Sequence, residues 1–520
     1  MGCHRPVYAR ALTGFKACLI LTARHNSGRL AQLIASSKIG TMTSPIRVRF
    51  APSPTGFLHL GGIRSALFDY LIARHTGGQF VLRLEDTDRD RLVDGAAEAI
   101  SGSLAWLGIS PDEGVMPDGS QSGNYGPYIQ SERLEIYAEY ADKLVQSGAL
   151  YPCWCTAERL DGLRRAAQLA KVAFKYDRHC LANPLTADQP HVLRFRIPDN
   201  RGEISWNDVV RGSVAFQSSE LDDFVAVKSD GFPTYHFAAT LDDHLMKITH
   251  VLRGDEWLPS TPKHLLIFEA FGFEAPVYAH LPQVLGADKA KLSKRHGAKP
   301  ALDYRDAGYL PEAVINFLAS LGWNAGDGST KEHYTLQELI AAFSLERIQK
   351  SPAVFDAERL NWLNGHYIRQ MAPETLLERS AGFWPASAAK YSLEYRLEAL
   401  KLVQERLKYF SELPDLTQFF FESPKQDLML LTKTYNAPTA AKVIAQVQDA
   451  LKATPWTEPD LEATLRPLAD KLEMKTGQLF GIIRAAVTGR TAAPGLFATL
   501  TLIGQVEIDK RLSKAIKALT

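Results

Sequence analysis

Acidic residues are absent from the first 68 positions of this chain, where nine lysines and arginines precede Asp69. The remainder then carries 50 basic against 58 acidic residues, so a protein with a formal charge of +1 has an acidic body. That balance excludes a uniformly basic nucleic-acid coat, and any RNA contact must run through local patches. Cysteine is also scarce. Five in 520 residues are too few for a disulfide scaffold and favour a reducing compartment. No apolar run approaches the ~20 residues that a bilayer crossing needs, so no membrane role is expected. Internal repeats and low-complexity tracts are lacking as well. What remains is 46% apolar and 22% charged over 520 residues, enough for three or four domains.

Residues 1–44 do not read as the start of a domain. They are basic and contain Ser and Ala, with the short apolar stretch Ala17-Cys18-Leu19-Ile20-Leu21. The composition suits a mitochondrial presequence. The alternative, an upstream extension of a reading frame that starts at Met42, is preferred because Arg and Lys do not gather on one helical face. The expected location is accordingly cytoplasmic, of bacterial type, with the mitochondrial matrix following if residues 1–44 are a presequence.

Arg47 to Phe50 and Phe80 to Leu84 read as buried parallel strands, and Ile63 to His75 between them has apolar residues at helical spacing. Strand, glycine-rich turn, helix, strand is the βαβ unit of a nucleotide-binding sheet. A helix is expected over Ser131 to Ser147. Residues 125–234 look inserted, with short strands at Val192 to Ile197 and Phe224 to Lys228. Tyr235 to Leu252 reads as a β-rich return to the sheet that runs to Arg253. From about 371 the pattern is almost wholly amphipathic helix, including Leu397 to Leu407, Ala440 to Leu451, Asp460 to Leu472 and Gln478 to Val487.

Two segments carry chemistry. Pro52-Ser53-Pro54-Thr55-Gly56-Phe57-Leu58-His59-Leu60-Gly61-Gly62 lies between a strand and a helix. Gly61 and Gly62 let backbone approach a phosphate, the helix N-terminus favours anions, and His59 can donate to a phosphate oxygen. Some 230 residues later, Lys291-Leu292-Ser293-Lys294-Arg295 places three cations around a serine, a clamp for the charge that builds on a transferring phosphate. Taken singly, a His-x-Gly-Gly turn is more often structural and a charge run more often a solvated loop. Together, in this order, they point to ATP.

The pair resembles the signature motifs of class I aminoacyl-tRNA synthetases, in the wording of the glutamyl branch. Arg83-Leu84-Glu85-Asp86-Thr87-Asp88, Gly126-Pro127-Tyr128-Ile129-Gln130-Ser131, Pro233-Thr234-Tyr235-His236-Phe237-Ala238, Arg253-Gly254-Asp255-Glu256-Trp257, Phe355 to Asn364 and Arg484 to Gly489 follow in the family's order, and only 1–44 has no counterpart. Gly62 replaces the second His of the general class I motif, as is common in the glutamyl branch.

The resemblance implies an α/β fold, a Rossmann-type parallel sheet with an inserted α+β acceptor-binding domain and an all-α anticodon-binding region. Residues 45–124 and 235–288 are then the two catalytic halves, 125–234 the insertion, 289–370 a stem-contact region carrying the lysine loop, and 371–520 the anticodon region. It implies a monomeric ligase that forms glutamyl-adenylate from glutamate and ATP with Mg²⁺, then transfers glutamate to the terminal adenosine of tRNA(Glu). His59, Lys291 and Lys294 would be catalytic, with Gly61, Gly62 and Ser293 completing the ATP site. Arg49 and Arg253 would bind the glutamate side chain, Glu85 and Ser53 its ammonium end, and Tyr235 would close the pocket. Fixed positive charge there rejects glutamine, because an amide gains nothing from it. Arg406 matches a position that in some relatives distinguishes the third anticodon base, and so bears on charging of tRNA(Gln).

The body's cysteines all fall within Cys153-Trp154-Cys155 and Cys180. With Tyr176 or His179 as fourth ligand they can form a structural Zn²⁺ site; where some relatives have His beyond the last Cys, this chain has Ala182, which leaves the fourth ligand open. Arg159, Arg164, Arg165 and Lys171 recur along a helix, suited to an acceptor end or to a solvated face. Two other readings are a ligase that glutamylates a modified tRNA base, whose relatives stop before a C-terminal helical region, and a catalytically silent tRNA-binding relative.

Overall fold

The computed structural model describes residues 45–184, 189–292, 299–326, 328 and 331–520. The N-terminal extension, Ser293 and Lys294 lie outside the described residues. Strand β1 (Arg47–Phe50) leads to helix α1 (Leu60–Thr76) and strand β2 (Gln79–Leu82), which pairs in parallel with β1 and sets Val48 beside Phe80. The turn between α1 and β2 demands glycine twice. Gly77 ends the helix at φ 67°, and a Cβ on Gly78 would lie 1.9 Å from the Ile46 carbonyl oxygen. After α2 (Ala96–Trp106), β3 (Glu113–Val115) adds in parallel to β2 and β4 (Gln121–Ser122) antiparallel to β3.

The inserted segment follows as α3 (Leu134–Gln146), β5 (Leu150–Cys153), α4 (Ala157–Leu169), β6 (Val192–Phe195), the hairpin β7 (Glu203–Asp208) and β8 (Gly212–Gln217), and β9 (Val225–Val227). Strands β5, β6 and β9 form one antiparallel sheet. The run of cations expected on one helix is shorter than its sequence suggests: α4 ends at Leu169, and Lys171 beyond it has φ 55°. Arg159 pairs with Asp177 and Arg164 with Asp161.

Tyr235–Leu245, expected as strand, is helix α5. Its side chains from Phe237 to Asp243 are all buried, so no amphipathic stripe reveals the helical period, and its aromatic content mimics a strand. Phe237, Ala238 and Leu241 pack with Leu266 and Ile267 of α6 (Thr261–Phe271) into the core of the insertion. The sheet resumes only at β10 (His250–Gly254), in parallel with β11 (Val277–Leu281). Thr249 joins the halves: its N–H donates to the Arg47 carbonyl at 2.9 Å, and its carbonyl accepts from Val277. Strand β1 thus has β2 on one side and β10 on the other, and the crevice where chain order reverses is where parallel sheets bind ligands.

The C-terminal part is helical. α7 (Ala357–Gln370) and α8 (Leu393–Val403) are followed by α9 (Ala437–Lys452), α10 (Glu458–Lys471), α11 (Thr476–Thr488) and α12 (Gln505–Leu519). Asn436 and Thr457 cap α9 and α10 by accepting from Thr439 and Asp460 N–H groups. Ala440, Ile444, Val447 and Leu451 recur at helical spacing and form the buried face of α9. Among the described residues no helix is long and apolar enough to cross a membrane.

Candidate active site

A cleft of about 790 Å³ opens over the carboxyl ends of β1 and β10. Arg49, Ser53, His59, Gly61, Gly62, Glu85, Tyr235, Arg253 and Lys291 all line it, although their sequence positions span 242 residues. At the glycine-rich end, His59 is the N-cap of α1, and its Nδ1 accepts from the Gly62 N–H at 3.3 Å. That bond places the ring proton on Nε2 of a neutral imidazole. Burial and the Lys291 ammonium lower the His59 pKa, against an opposing pull from Glu256, which keeps the ring in that donor state. A Cβ on Gly61 would stand 3.0 Å from two atoms of the His59 ring, so glycine there leaves the imidazole its place.

Lys291 enters from the other signature motif. Its segment folds back on β12 (Val284–Leu285) through an antiparallel bridge to Leu285, and Nζ lies 2.8 Å from Glu256 Oε1. Pro300, just past the motif, bridges His59, and the Ala301 N–H donates to the Leu58 carbonyl at 2.8 Å. The residues just past the lysine motif are therefore bonded to the first motif, and Lys291 shares the cleft with His59.

Around the arginine end of the cleft, three guanidinium groups are held in different ways. Arg49 donates from Nε to Asp243 Oδ1 at 2.9 Å, and the same oxygen accepts from Arg83 at 2.9 Å. Arg83 also donates to Glu85 Oε1 at 3.0 Å. Burial alone would raise the Asp243 pKa, but Arg49 and Arg83 outweigh it and hold the carboxyl below its usual range. For Glu85 burial wins over the same two arginines, and its pKa is raised.

Arg253 differs, since among the described residues it forms no ion pair. It donates to Tyr235 Oη (3.1 Å), Thr261 Oγ1 (2.8 Å) and His280 Nε2 (3.1 Å), all uncharged acceptors, with His264 Nδ1 at 3.4 Å. Burial lowers the His264 pKa well below its ordinary value and takes that of His236, bonded to it, to about 3. A buried cation surrounded by neutral groups calls for an anionic ligand.

Beneath Arg49, Asp69 of α1 is fully buried, and neither carboxylate oxygen has a hydrogen-bond partner among the described residues. Burial raises its pKa well above the usual value despite Arg49. The unfolded chain releases this proton near pH 4 while the fold retains it, so stability falls as pH rises above that point. Asp69→Asn should gain stability relative to the parent as pH goes from 4 to 7, by up to about 1.4 kcal/mol per pH unit below the folded pKa, which thermal unfolding across that range will show.

The three body cysteines also come together. Their sulfurs lie within 4.8 Å of one another, Cys155 and Cys180 at 3.4 Å, and Tyr176 Oη is 3.4 Å from Cys153 Sγ and 3.3 Å from Cys155 Sγ. Of the two expected fourth groups, Tyr176 is the one among the thiols; His179 instead packs edge-on to Trp154. Arg406 lies outside the cleft, exposed in a single 3₁₀ turn (Gln404–Arg406) after α8.

Several groups on which the site depends were not anticipated from sequence: Arg83, Asp243, Asp208, His264 and His280. The signal was a charged or imidazole residue inside an otherwise apolar stretch, such as His280 in Val-Tyr-Ala-His-Leu.

Residues 45–362 match the family model described as tRNA synthetases class I (E and Q), catalytic domain, and residues 364–516 the model described as anticodon binding domain. The chain is 45% identical to glutamate–tRNA ligases of Dehalococcoides mccartyi and of Chloroflexus aurantiacus, with 92% of this chain and 99% of each relative covered. Among solved structures it resembles a glutamate tRNA ligase from Elizabethkingia meningosepticum in complex with its amino acid, at a TM-score of 0.80 and 36% identity over 92% of this chain and 100% of that one.

Proposed function

The chain belongs to the class I tRNA synthetases of the E and Q type, and from that membership we infer how its cleft joins glutamate to tRNA. The protein is a ligase that activates glutamate with ATP, releasing pyrophosphate, and passes it to tRNA, releasing AMP. The observation that carries the division of labour is Arg253, a buried guanidinium with only neutral partners. It takes the side-chain carboxylate of glutamate, with Arg49 alongside and the Tyr235 hydroxyl and ring closing the pocket. Glu85 and Ser53 hold the ammonium end.

With glutamate so placed, its α-carboxylate attacks the α-phosphorus of ATP in line, and the pyrophosphate oxygens leave on the opposite side. The Nε2–H of His59 donates to phosphate oxygen, and backbone at Gly61 and Gly62 approaches the nucleotide. Lys291 exchanges Glu256 for the leaving pyrophosphate. Ser293 and Lys294, outside the described residues, are assigned to the triphosphate with it. Mg²⁺ arriving with ATP would neutralise part of the triphosphate charge. In the second step a ribose hydroxyl of the tRNA's terminal adenosine attacks the mixed anhydride and AMP leaves.

Residues 125–234 hold the acceptor end and 371–520 the anticodon, with Arg406 as reader of its third base; charging of tRNA(Gln) in addition to tRNA(Glu) depends on that contact. The protein works as a monomer in a reducing compartment. Glutamylation of a modified base and a silent relative are not favoured, because the anticodon-binding region is present and His59 and Arg253 stand in place.

The test of the function is charging. Protein begun at Met42 should esterify radiolabelled glutamate to tRNA(Glu) with release of AMP and pyrophosphate. No charging by folded protein, where a control ligase charges the same tRNA, refutes the assignment.

Zinc fits the thiol cluster, since bonds of about 2.3 Å to sulfur give tetrahedral edges close to the separations seen. Cys153, Cys155, Cys180 and Tyr176 would hold it, and bound there it would clip β5 to the segment 176–180. Elemental analysis should find about one zinc per chain, lost in Cys180→Ser and bound more weakly in Tyr176→Phe. Protein free of zinc after growth in zinc-supplemented medium would contradict this.

A further inference from the structure

Arg253 reaches the cleft from β10, and directly across the sheet, in register with it on β11, lies His280, wholly buried. The ring of His280 is held from both sides. Nδ1 lies 2.5 Å from Asp208 Oδ2, while Nε2 lies 3.1 Å from Arg253 Nε and 3.2 Å from Thr261 Oγ1. The other oxygen of Asp208 accepts three backbone N–H groups, from Val210 (3.1 Å), Arg211 (2.9 Å) and His280 itself (3.1 Å).

The chemistry of these groups settles the proton. A guanidinium nitrogen can only donate, so Nε2 of His280 must present its lone pair, and the ring proton must sit on Nδ1, where the carboxylate accepts it. We propose that Asp208 and His280 are positioning residues for glutamate recognition: the carboxylate fixes the imidazole tautomer, and the imidazole aims the guanidinium of Arg253 into the pocket. This deepens the assignment of Arg253 to the glutamate carboxylate and rests on it.

The position of Asp208 adds a consequence. It ends β7, in the hairpin of the inserted segment, and the hairpin is docked against β11, beside the strand that carries Arg253. The Val209 N–H donates to the Tyr278 carbonyl at 2.9 Å, and Arg211 donates to Asp255 at 2.6 Å, two residues from Arg253. The insertion therefore sets the direction of a group that reads the amino acid.

Asp208→Asn is the discriminating variant. The asparagine oxygen keeps the three backbone donors, which turns its amide nitrogen toward His280 Nδ1. That nitrogen must then accept, the ring proton moves to Nε2, and an N–H faces the Arg253 N–H. We expect the KM for glutamate to rise about tenfold while the KM for ATP stays within about twofold, in glutamate-dependent pyrophosphate exchange with tRNA present.

In a His280→Gln background the side-chain oxygen can accept from Arg253 without help from Asp208, so adding Asp208→Asn should leave the glutamate KM of that variant nearly unchanged. A mere loss of packing would raise both KM values or would act equally in both backgrounds, and either result overturns the proposal. Should Asp208→Asn not fold, Thr261→Val, which removes an acceptor from Arg253 Nη2, tests only whether Arg253 must be held by its acceptors. The proposal itself is then tested by His280→Leu, which removes the acceptor of Arg253 Nε and should raise the glutamate KM about threefold or more with the ATP KM unmoved, and an unchanged glutamate KM there overturns the proposal. Arg253→Gln separates the two levels: if it leaves glutamate binding intact, the assignment of Arg253 has failed; if it abolishes binding while Asp208→Asn spares it, only the positioning role has.

Discussion

Arg253→Gln is expected to raise the KM for glutamate about 100-fold and to leave the KM for ATP within about twofold, the cost of roughly 3 kcal/mol for one charge-assisted contact in a desolvated site. The size follows from how Arg253 is held. Its partners are the Tyr235 and Thr261 hydroxyls and two imidazoles kept neutral by burial, so none supplies the negative charge that the guanidinium lacks. A glutamate carboxylate supplies it and a glutamine amide does not. Glutamine at 253 keeps hydrogen-bonding capacity and, though shorter, buries no new charge, so the variant should fold. Steady-state kinetics with each substrate varied in turn will measure both constants, and a parallel rise in the two would contradict the assignment.

Asp243→Asn should destabilise the catalytic part by about 3–5 kcal/mol, because it leaves two buried guanidiniums sharing a neutral partner. Arg49 and Arg83 both converge on Oδ1 of Asp243, and all three side chains are buried. The pH dependence has a definite sign. The folded carboxyl sits below its unfolded value, so its stabilisation is fully present above pH ~4, the unfolded pKa, and is lost as pH falls through the folded one. The difference between parent and variant in urea unfolding should be largest near neutrality and shrink below pH 4. It runs opposite to Asp69 of α1, where burial without a hydrogen-bond partner raises the carboxyl instead. Arg49 is bonded to Asp243, so Asp243→Asn should also weaken glutamate binding in whatever fraction remains folded.

The legible parts of the molecule were those governed by local rules. Arg47 to Phe50 is β-branched or aromatic with alternating Arg, and it is β1 to the residue. The C-terminal helices declared themselves by apolar faces such as that of α9. Helix α5 did not, because burial on all sides erased its periodicity and its inward aspartates looked like surface charge. In the site, His59, Gly61 and Lys291 were legible as motifs, whereas the grouping of Asp208 with His280 spans 72 positions and exists only once the hairpin docks on β11. The cysteines stood out by their spacing, yet the choice of Tyr176 over His179 depended on where a short helical turn points each ring. Local sequence thus announces the glycine and lysine motifs, while the contacts that hold Arg49 and Arg253 come from residues distant in sequence, such as Asp243 and His280.

The most direct measurement of the central claim is the ratio of kcat/KM for glutamate to that for glutamine in tRNA charging by the parent protein. Two guanidiniums, one of them without a carboxylate of its own among the described residues, predict a preference for glutamate of at least about 1,000-fold, and a collapse of that ratio in Arg253→Gln. Equal use of the two amino acids by the parent, or an undiminished ratio in the variant, would contradict the account.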